Sequence, residues 1–402
     1  MKLLIYISFL LPVFCIANPS KTAPIKTEAN VSTKEVMHSA LNAIVKLVPY
    51  MSSELKFTDP NHQQDIEKYL IQVKEAFVNA SHIKDLKSPN FEPSSQIIQE
   101  HLEETVTLFK NKNKTFARLR LSHTTSICIS CHTQLPPEKV SSFTLGFKQV
   151  TKNHFDSSFE YAEYLYLIRD YTNALKNYDH AIKERLTNAS NLKKIPNLIN
   201  QHEFNDKTLN ESIKKSLSIY LKIKKDVNAG LKFINNLLAY KNLTQYLKSD
   251  LKDWSRKLQP WKKVALPKTF SNEVEIKKFI NEYLVPLETA ESGMNEQEIT
   301  LLIASGVLSN FLTQHPSSSL APEILYWLGV SAHELNNNLF FDLGESYLKS
   351  CITHFPKSPI APRCYMELEE QIIFGYSGSS GTQIPKDKEN ELKRYRALIN
   401  LK

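Results

Sequence analysis

Nine glycines in 402 residues leave this chain few points at which the backbone can turn cheaply, and that scarcity constrains its fold more than any other compositional feature. Strand-rich architectures need a turn roughly every 8–12 residues, and glycine supplies many of them. Leu, Ile, Lys, Asn, Glu and Ala are plentiful instead, so the expected fold is all-α. Hydrophobic residues make up 42% of the chain and charged residues 23%, a globular balance that excludes intrinsic disorder and a multi-span membrane protein. The length allows two or three domains.

The first residues have the pattern of an export signal. Lys2 is followed by a nearly all-apolar run from Leu3 to Ile16, and small residues stand at the cleavage-site positions before Asn18. Residues 1–17 are therefore read as a signal peptide and the chain as periplasmic. The apolar run is shorter than the ~20 residues a membrane-spanning helix needs, and bulky Phe14 before Cys15 argues against a lipid anchor there. With Cys15 removed, four cysteines remain: Cys128, Cys131, Cys351 and Cys364. An oxidising compartment permits disulfides among them.

Residues 128–132 read Cys128-Ile129-Ser130-Cys131-His132, the C-x-x-C-H pattern of covalent haem c attachment. Two thiols three positions apart on a helical turn can each bond one vinyl group of a porphyrin, while the adjacent imidazole reaches the iron. His132 is thus the expected proximal ligand and one haem c the expected cofactor. A zinc site needs two more ligands at matching spacing, and no second C-x-x-C or H-x-x-x-H occurs. A thioredoxin-like dithiol needs a βαβ context that the pattern lacks. The motif occurs once, which sets aside diheme peroxidases and multihaem nitrite or nitrate enzymes.

Apolar residues at helical spacing precede it. Met37, Leu41, Ile44, Val48 and Met51 form one stripe, Ile66, Leu70, Val73, Phe77 and Ala80 a second, and Ile98, Leu102, Thr105 and Phe109 a third. A fourth helix from about Thr115 to Leu135 carries the motif, and Pro136-Pro137 stops it. Four amphipathic helices with C-x-x-C-H in the last resemble the cytochrome c-prime family over roughly residues 34–137. The resemblance implies a four-helix bundle with haem beside its final helix. Class I cytochromes c have the motif near the start of the domain and a Met later in it, whereas no Met follows here until Met294. The basic residue usual soon after the c-prime motif is replaced by Thr133-Gln134-Leu135-Pro136.

In c-prime-like bundles the first helix faces the open side of the iron, and in low-spin relatives a Met from it binds the metal. The resemblance therefore makes Met37 the leading distal ligand; the competing reading leaves it as core beside Leu41 and Ile44. Met51 and His101 are lesser candidates, and a lone His on an apolar face is more often held structurally. His123 lies nine residues before His132, which turns it ~180° away on a straight helix, so both cannot bind one iron.

Beyond a linker at 138–153, residues 154–402 change to helix pairs. Asp170 to Ala181 resembles the second helix of a tetratricopeptide repeat, with Ala174, Tyr178 and Ala181 at the small, aromatic and small positions. A second trace starts at Asp226, and Tyr326-Trp327-Leu328-Gly329 resembles part of a first helix. His315-Pro316 with Leu320-Ala321-Pro322 recurs forty positions on as Phe355-Pro356 with Ile360-Ala361-Pro362, and self-similarity at this period marks stacked helical hairpins. The expected C-terminal architecture is a helical-repeat solenoid whose concave face binds a protein segment, with Asn336–Asn338 as an insertion between paired helices.

Between Lys207 and Lys263 stand fourteen Lys or Arg against four Asp or Glu, a net of +10 in a chain whose total is +8. Such a block suits an acidic redox partner or anionic lipid headgroups, and equally a solvated helix surface. Nucleic acid does not fit an exported protein. Cys351 and Cys364 fall on successive helices and are either disulfide-bonded or two buried thiols. No G-x-S-x-G, P-loop or H-E-x-x-H occurs, and the chain is read as a non-enzyme. One-electron transfer with a protein partner docked on the repeats is the leading function. A five-coordinate gas-binding haem and a repeat scaffold with structural haem are the alternatives.

Overall fold

A computed structural model describes residues 32–51, 54–80, 83–132, 151–192, 207–264, 266, 270–288, 297–335, 343–379 and 381–401. The signal peptide with Cys15, Thr133–Pro137, most of the linker and Asn336–Asn338 lie outside the described residues. Among the described residues the fold is all-α. It has sixteen α-helices and one small hairpin of two-residue strands, β1 (Ser377–Gly378) and β2 (Gly381–Thr382). No described helix is long and apolar enough to cross a membrane.

Five helices come first: α1 (Thr33–Met51), the short α2 (Glu54–Thr58), α3 (Gln63–Asn79), α4 (Glu92–Lys110) and α5 (Lys114–His132). A capping box starts α1, with Ser32 Oγ accepting from Glu35 N at 3.3 Å while Glu35 Oε2 accepts from Ser32 N at 2.8 Å. The three stripes bury as their spacing requires. Leu41, Ile44, Ile66, Leu70, Val73, Ile98, Leu102 and Phe109 all belong to one apolar cluster. Helix α1 packs on α3, α3 on α4, α4 on α5, and α5 returns to α1.

Helices α6 (Ser158–Leu167) and α7 (Tyr171–Leu192) form a hairpin. Helix α6 and the first half of α7 share the apolar cluster of α1–α5, through Tyr164, Leu165, Tyr166, Tyr171, Ala174 and Tyr178. Apart from Ile219 and Ile223, which pack with the first, the buried apolar residues from Ile182 onward belong to a second cluster. That cluster is built by α8 (Lys207–Ser218), which continues through a wide turn at Ile219–Ile223, and by α9 (Val227–Leu238), α10 (Gln245–Leu258) and α11 (Glu273–Phe279). It is completed by α12 (Glu298–Gln314), α13 (Ala321–Glu334), α14 (Leu343–His354), α15 (Ala361–Gly375) and α16 (Lys386–Leu398).

The forty-residue echo is visible in the hydrogen bonds. Ser318 N donates to His315 O at 3.0 Å and Ala321 N to Ser318 O at 3.1 Å; forty residues later Ser358 N donates to Phe355 O at 2.9 Å and Ala361 N to Ser358 O at 3.1 Å. Each turn is closed by its serine hydroxyl, which accepts from Leu320 N at 3.1 Å and from Ile360 N at 3.2 Å. Each leads into a helix with Pro in its first turn, Pro322 in α13 and Pro362 in α15. Cys351 and Cys364 are disulfide-bonded across α14 and α15, with Cα atoms 6.4 Å apart.

Gly306 sits in the middle of α12, where Ala is favoured by about 1 kcal/mol, so the glycine needs a packing reason. A Cβ there would lie 2.3 Å from the carbonyl oxygen of Lys222 in the wide turn after α8. Backbone cannot rotate aside as a side chain can, and overpacking costs up to about 3 kcal/mol or more. Gly306→Ala is expected to lose roughly 2 kcal/mol net. A denaturant midpoint equal to or above that of the unsubstituted chain would contradict this.

Candidate functional site

The C-x-x-C-H residues occupy the last turn of α5, where three- and four-residue spacing puts Cys128, Cys131 and His132 on one side. They line a pocket with Met37 of α1, Phe77 of α3, Leu86 and Phe91, Ser94, Ser95 and Ile98 of α4, and Ile127. Helices α1 and α5 run in opposite directions, so the start of one meets the end of the other. The lining is almost wholly apolar, and the open space is about 30 Å³, room for about one water. Any larger group enters by parting these side chains.

His132 is held from α6. Its Nδ1 lies 2.7 Å from the carbonyl oxygen of Leu167, and because a carbonyl only accepts, Nδ1 carries the proton and Nε2 is the basic nitrogen. That carbonyl belongs to the last residue of α6, where helical carbonyls lack intrahelical donors. Burial pushes the imidazole down to about 4, against the opposing Leu167 hydrogen bond and with help from the nearby Arg169 charge. The ring is therefore neutral near pH 7, as a metal ligand must be.

Helix α6 ends in a Schellman turn, with Asp170 N donating to Leu165 O at 2.8 Å and Arg169 N to Tyr166 O at 2.9 Å. The left-handed position, normally glycine, is Arg169 at φ 66°. Its side chain is buried and its Nε donates to Tyr171 Oη at 3.2 Å. Its charge reaches both His132 and Cys131. A strained backbone and a buried guanidinium together at a cysteine–histidine pocket are the kind of costs that functional sites carry.

Cys128 and Cys131 are free thiols with partial exposure as residues, yet burial of their sulfurs pushes both up to about 12. Redox-active dithiols depend on a lowered thiol, and neither of these is lowered. Tyr347 of α14 lies within electrostatic range of Cys131, so the C-terminal helices help cover the motif. The loop before α4 is tied to the same helices. Asn90 Nδ2 donates to Thr313 Oγ1 at 2.6 Å, and Glu92 Oε2 pairs with His354 Nε2 at 3.0 Å.

The other candidates lie elsewhere. Met51 is fourteen residues from Met37 along α1, roughly 21 Å at 1.5 Å per residue, and its carbonyl accepts from Arg118 Nη1 at 3.1 Å. His101 is buried with Nε2 2.8 Å from the Arg120 carbonyl, which uses that nitrogen as a donor. Burial pushes its ring down to about 4. His123 lines a different cleft, on the other side of α5, as its angular offset requires. Arg169, Leu167 and Tyr347 had no sequence signal, since each reaches the motif through tertiary packing.

Cys128 and Cys131, which could bond the vinyl groups of a porphyrin, line one pocket with the neutral imidazole of His132 and with Met37, the two side chains that could ligate its iron; the ring itself would supply the remaining nitrogens. Structural zinc takes four protein ligands, and among the described residues no group of three or more His, Cys, Asp or Glu converges. Comparison with family models, curated proteins and solved structures returns no match.

Proposed function

We propose that the chain is an exported c-type cytochrome that carries one covalent haem on Cys128 and Cys131 and transfers single electrons to or from a protein partner. The observation that supports this most is the Nδ1 bond of His132 to Leu167, which leaves Nε2 as the basic nitrogen of a ring that lines the same pocket as Met37 and both thiols. Bound haem iron supplies a one-electron couple whose potential follows its axial ligands and burial. The chain's own residues do the rest. His132 and Met37 would hold the iron, and Phe77, Leu86, Phe91 and Ile98 would keep water from it. The buried Arg169 guanidinium is a cation suited to a haem carboxylate, in place of the basic residue missing after the motif.

The ring of α1, α3, α4 and α5 is read as a c-prime-like four-helix bundle, and α12–α15 as two tetratricopeptide-like hairpins of a repeat unit. The matched turns forty residues apart support the second reading. The disulfide supports passage through an oxidising compartment. Lys232, Lys241, Lys252, Lys262 and Lys263 are exposed within the basic block and give an acidic partner a surface to meet.

A visible spectrum tests the ligand set. The exported, haem-loaded protein is expected to be low-spin with sharp α and β bands and slow toward carbon monoxide. Met37→Ala is expected to become five-coordinate and to bind carbon monoxide rapidly. An unchanged six-coordinate spectrum in the variant rejects Met37; rapid carbon monoxide binding by the unsubstituted protein favours the gas-binding alternative.

A further inference from the structure

On the side of α5 away from the cysteines lies a second and larger cavity, about 410 Å³, walled by α5, α6, α8, α10 and α12. Its acidic side chains are mostly committed. Glu163 accepts from Tyr178 Oη and pairs with Lys215. Glu298 accepts from Trp254 Nε1 at 3.0 Å and pairs with Lys214 at 3.5 Å. Lys222, in the wide turn after α8, is different: among the described residues its ammonium meets no carboxylate and no hydrogen-bond acceptor.

Desolvation alone pushes Lys222 down to about 8, with no charged neighbour contributing. The remaining acid of the cavity, Glu211, is eleven residues back along the same helix, roughly 16 Å at 1.5 Å per residue, and does not neutralise it. A half-buried ammonium without a counter-charge is costly to keep. It is held in place by close packing, since the Lys222 backbone is the surface against which Gly306 is pressed. Around it the cavity presents aromatic and apolar surface from Phe159, Tyr166, Trp254 and Leu302. Much of the rest of the lining is charged or hydroxyl-bearing, and polar groups converging beside aromatic surface in a concavity of this size suit a small polar ligand with an apolar body.

We propose that this cavity binds a small organic acid with an aromatic or apolar body, its carboxylate on the Lys222 ammonium and its body against Trp254 and Phe159. The site is separate from the cysteine–histidine pocket and stands whether or not that pocket carries haem. The preference for an anion over a cation follows from which groups are already paired: Glu163 and Glu298 hold lysines, and Lys222 meets no carboxylate among the described residues.

Isothermal titration of the full chain with phenylacetate and benzoate tests this, alongside the neutral isosteres phenylacetamide and benzamide. At least one acid is expected to bind saturably with Kd below ~1 mM and at least tenfold more tightly than its amide. Lys222→Met, which keeps the apolar stem, is expected to weaken acid binding tenfold or more and to leave amide binding unchanged. Far-ultraviolet circular dichroism checks its fold, and Lys222→Arg, which restores the charge, serves as a second variant and is expected to recover part of the affinity. Equal affinity for acid and amide, acid binding undiminished in Lys222→Met, or no saturable binding of either acid below that limit overturns the proposal.

Discussion

Replacing both Cys128 and Cys131 by alanine is expected to yield a chain without covalent haem from a cell competent in cytochrome c biogenesis, against stoichiometric attachment to the unsubstituted chain. The two thiols are the only described cysteines outside the disulfide, so no other described sulfur can substitute for them. Denaturing electrophoresis with haem stain and intact-mass measurement read the outcome directly. The double variant should still fold, because the pocket is already closed to about 30 Å³ and the surrounding cluster is continuous through α1, α3, α4, α5 and α6. Unchanged helical circular dichroism with total loss of haem therefore separates loss of attachment from loss of structure. If the unsubstituted exported chain itself has the mass of bare polypeptide, the cytochrome reading fails with it.

What could be read in advance follows from how far each feature depends on distant residues. The stripes of α1, α3 and α4 were legible because a helix that buries one face repeats its apolar residues with the helical period. The forty-residue echo was legible because the same turn was written twice with the same serine and proline chemistry. The side of α5 on which His123 falls followed from helical rotation alone. Other parts of the site depend on the fold. In sequence His101 is a lesser ligand candidate whose apolar face favours a structural role, and only the approach of Arg120's carbonyl shows which of its nitrogens is used. The partner of His132 is a main-chain oxygen, which has no sequence signature at all. Arg169 occupies a left-handed turn position where sequence patterns lead one to expect glycine. Tyr347 reaches Cys131 from the far end of the chain, and Gly306 is explained only by the turn it touches.

Removing the Cys351–Cys364 disulfide is expected to cost about 3 kcal/mol, the chain-entropy value for a closed loop of this size, in the cooperative unit that contains α14 and α15. The two cysteines are thirteen positions apart and fully buried. Cys351→Ala with Cys364→Ala is the appropriate pair, since serine would bury unpaired hydroxyls where nothing polar is now present. The effect should extend beyond the hairpin. Helix α14 carries Tyr347 toward Cys131, and its Ser350 and His354 meet Pro89 and Glu92 at the start of α4. Loosening α14 should therefore raise hydrogen exchange at the start of α4 as well as within α14 and α15. Denaturant unfolding of the oxidised chain, the reduced chain and the double variant measures the cost. The reduced chain and the variant should share a midpoint well below that of the oxidised chain. A variant that unfolds at the oxidised midpoint would show that this cross-link constrains nothing the helices do not already hold.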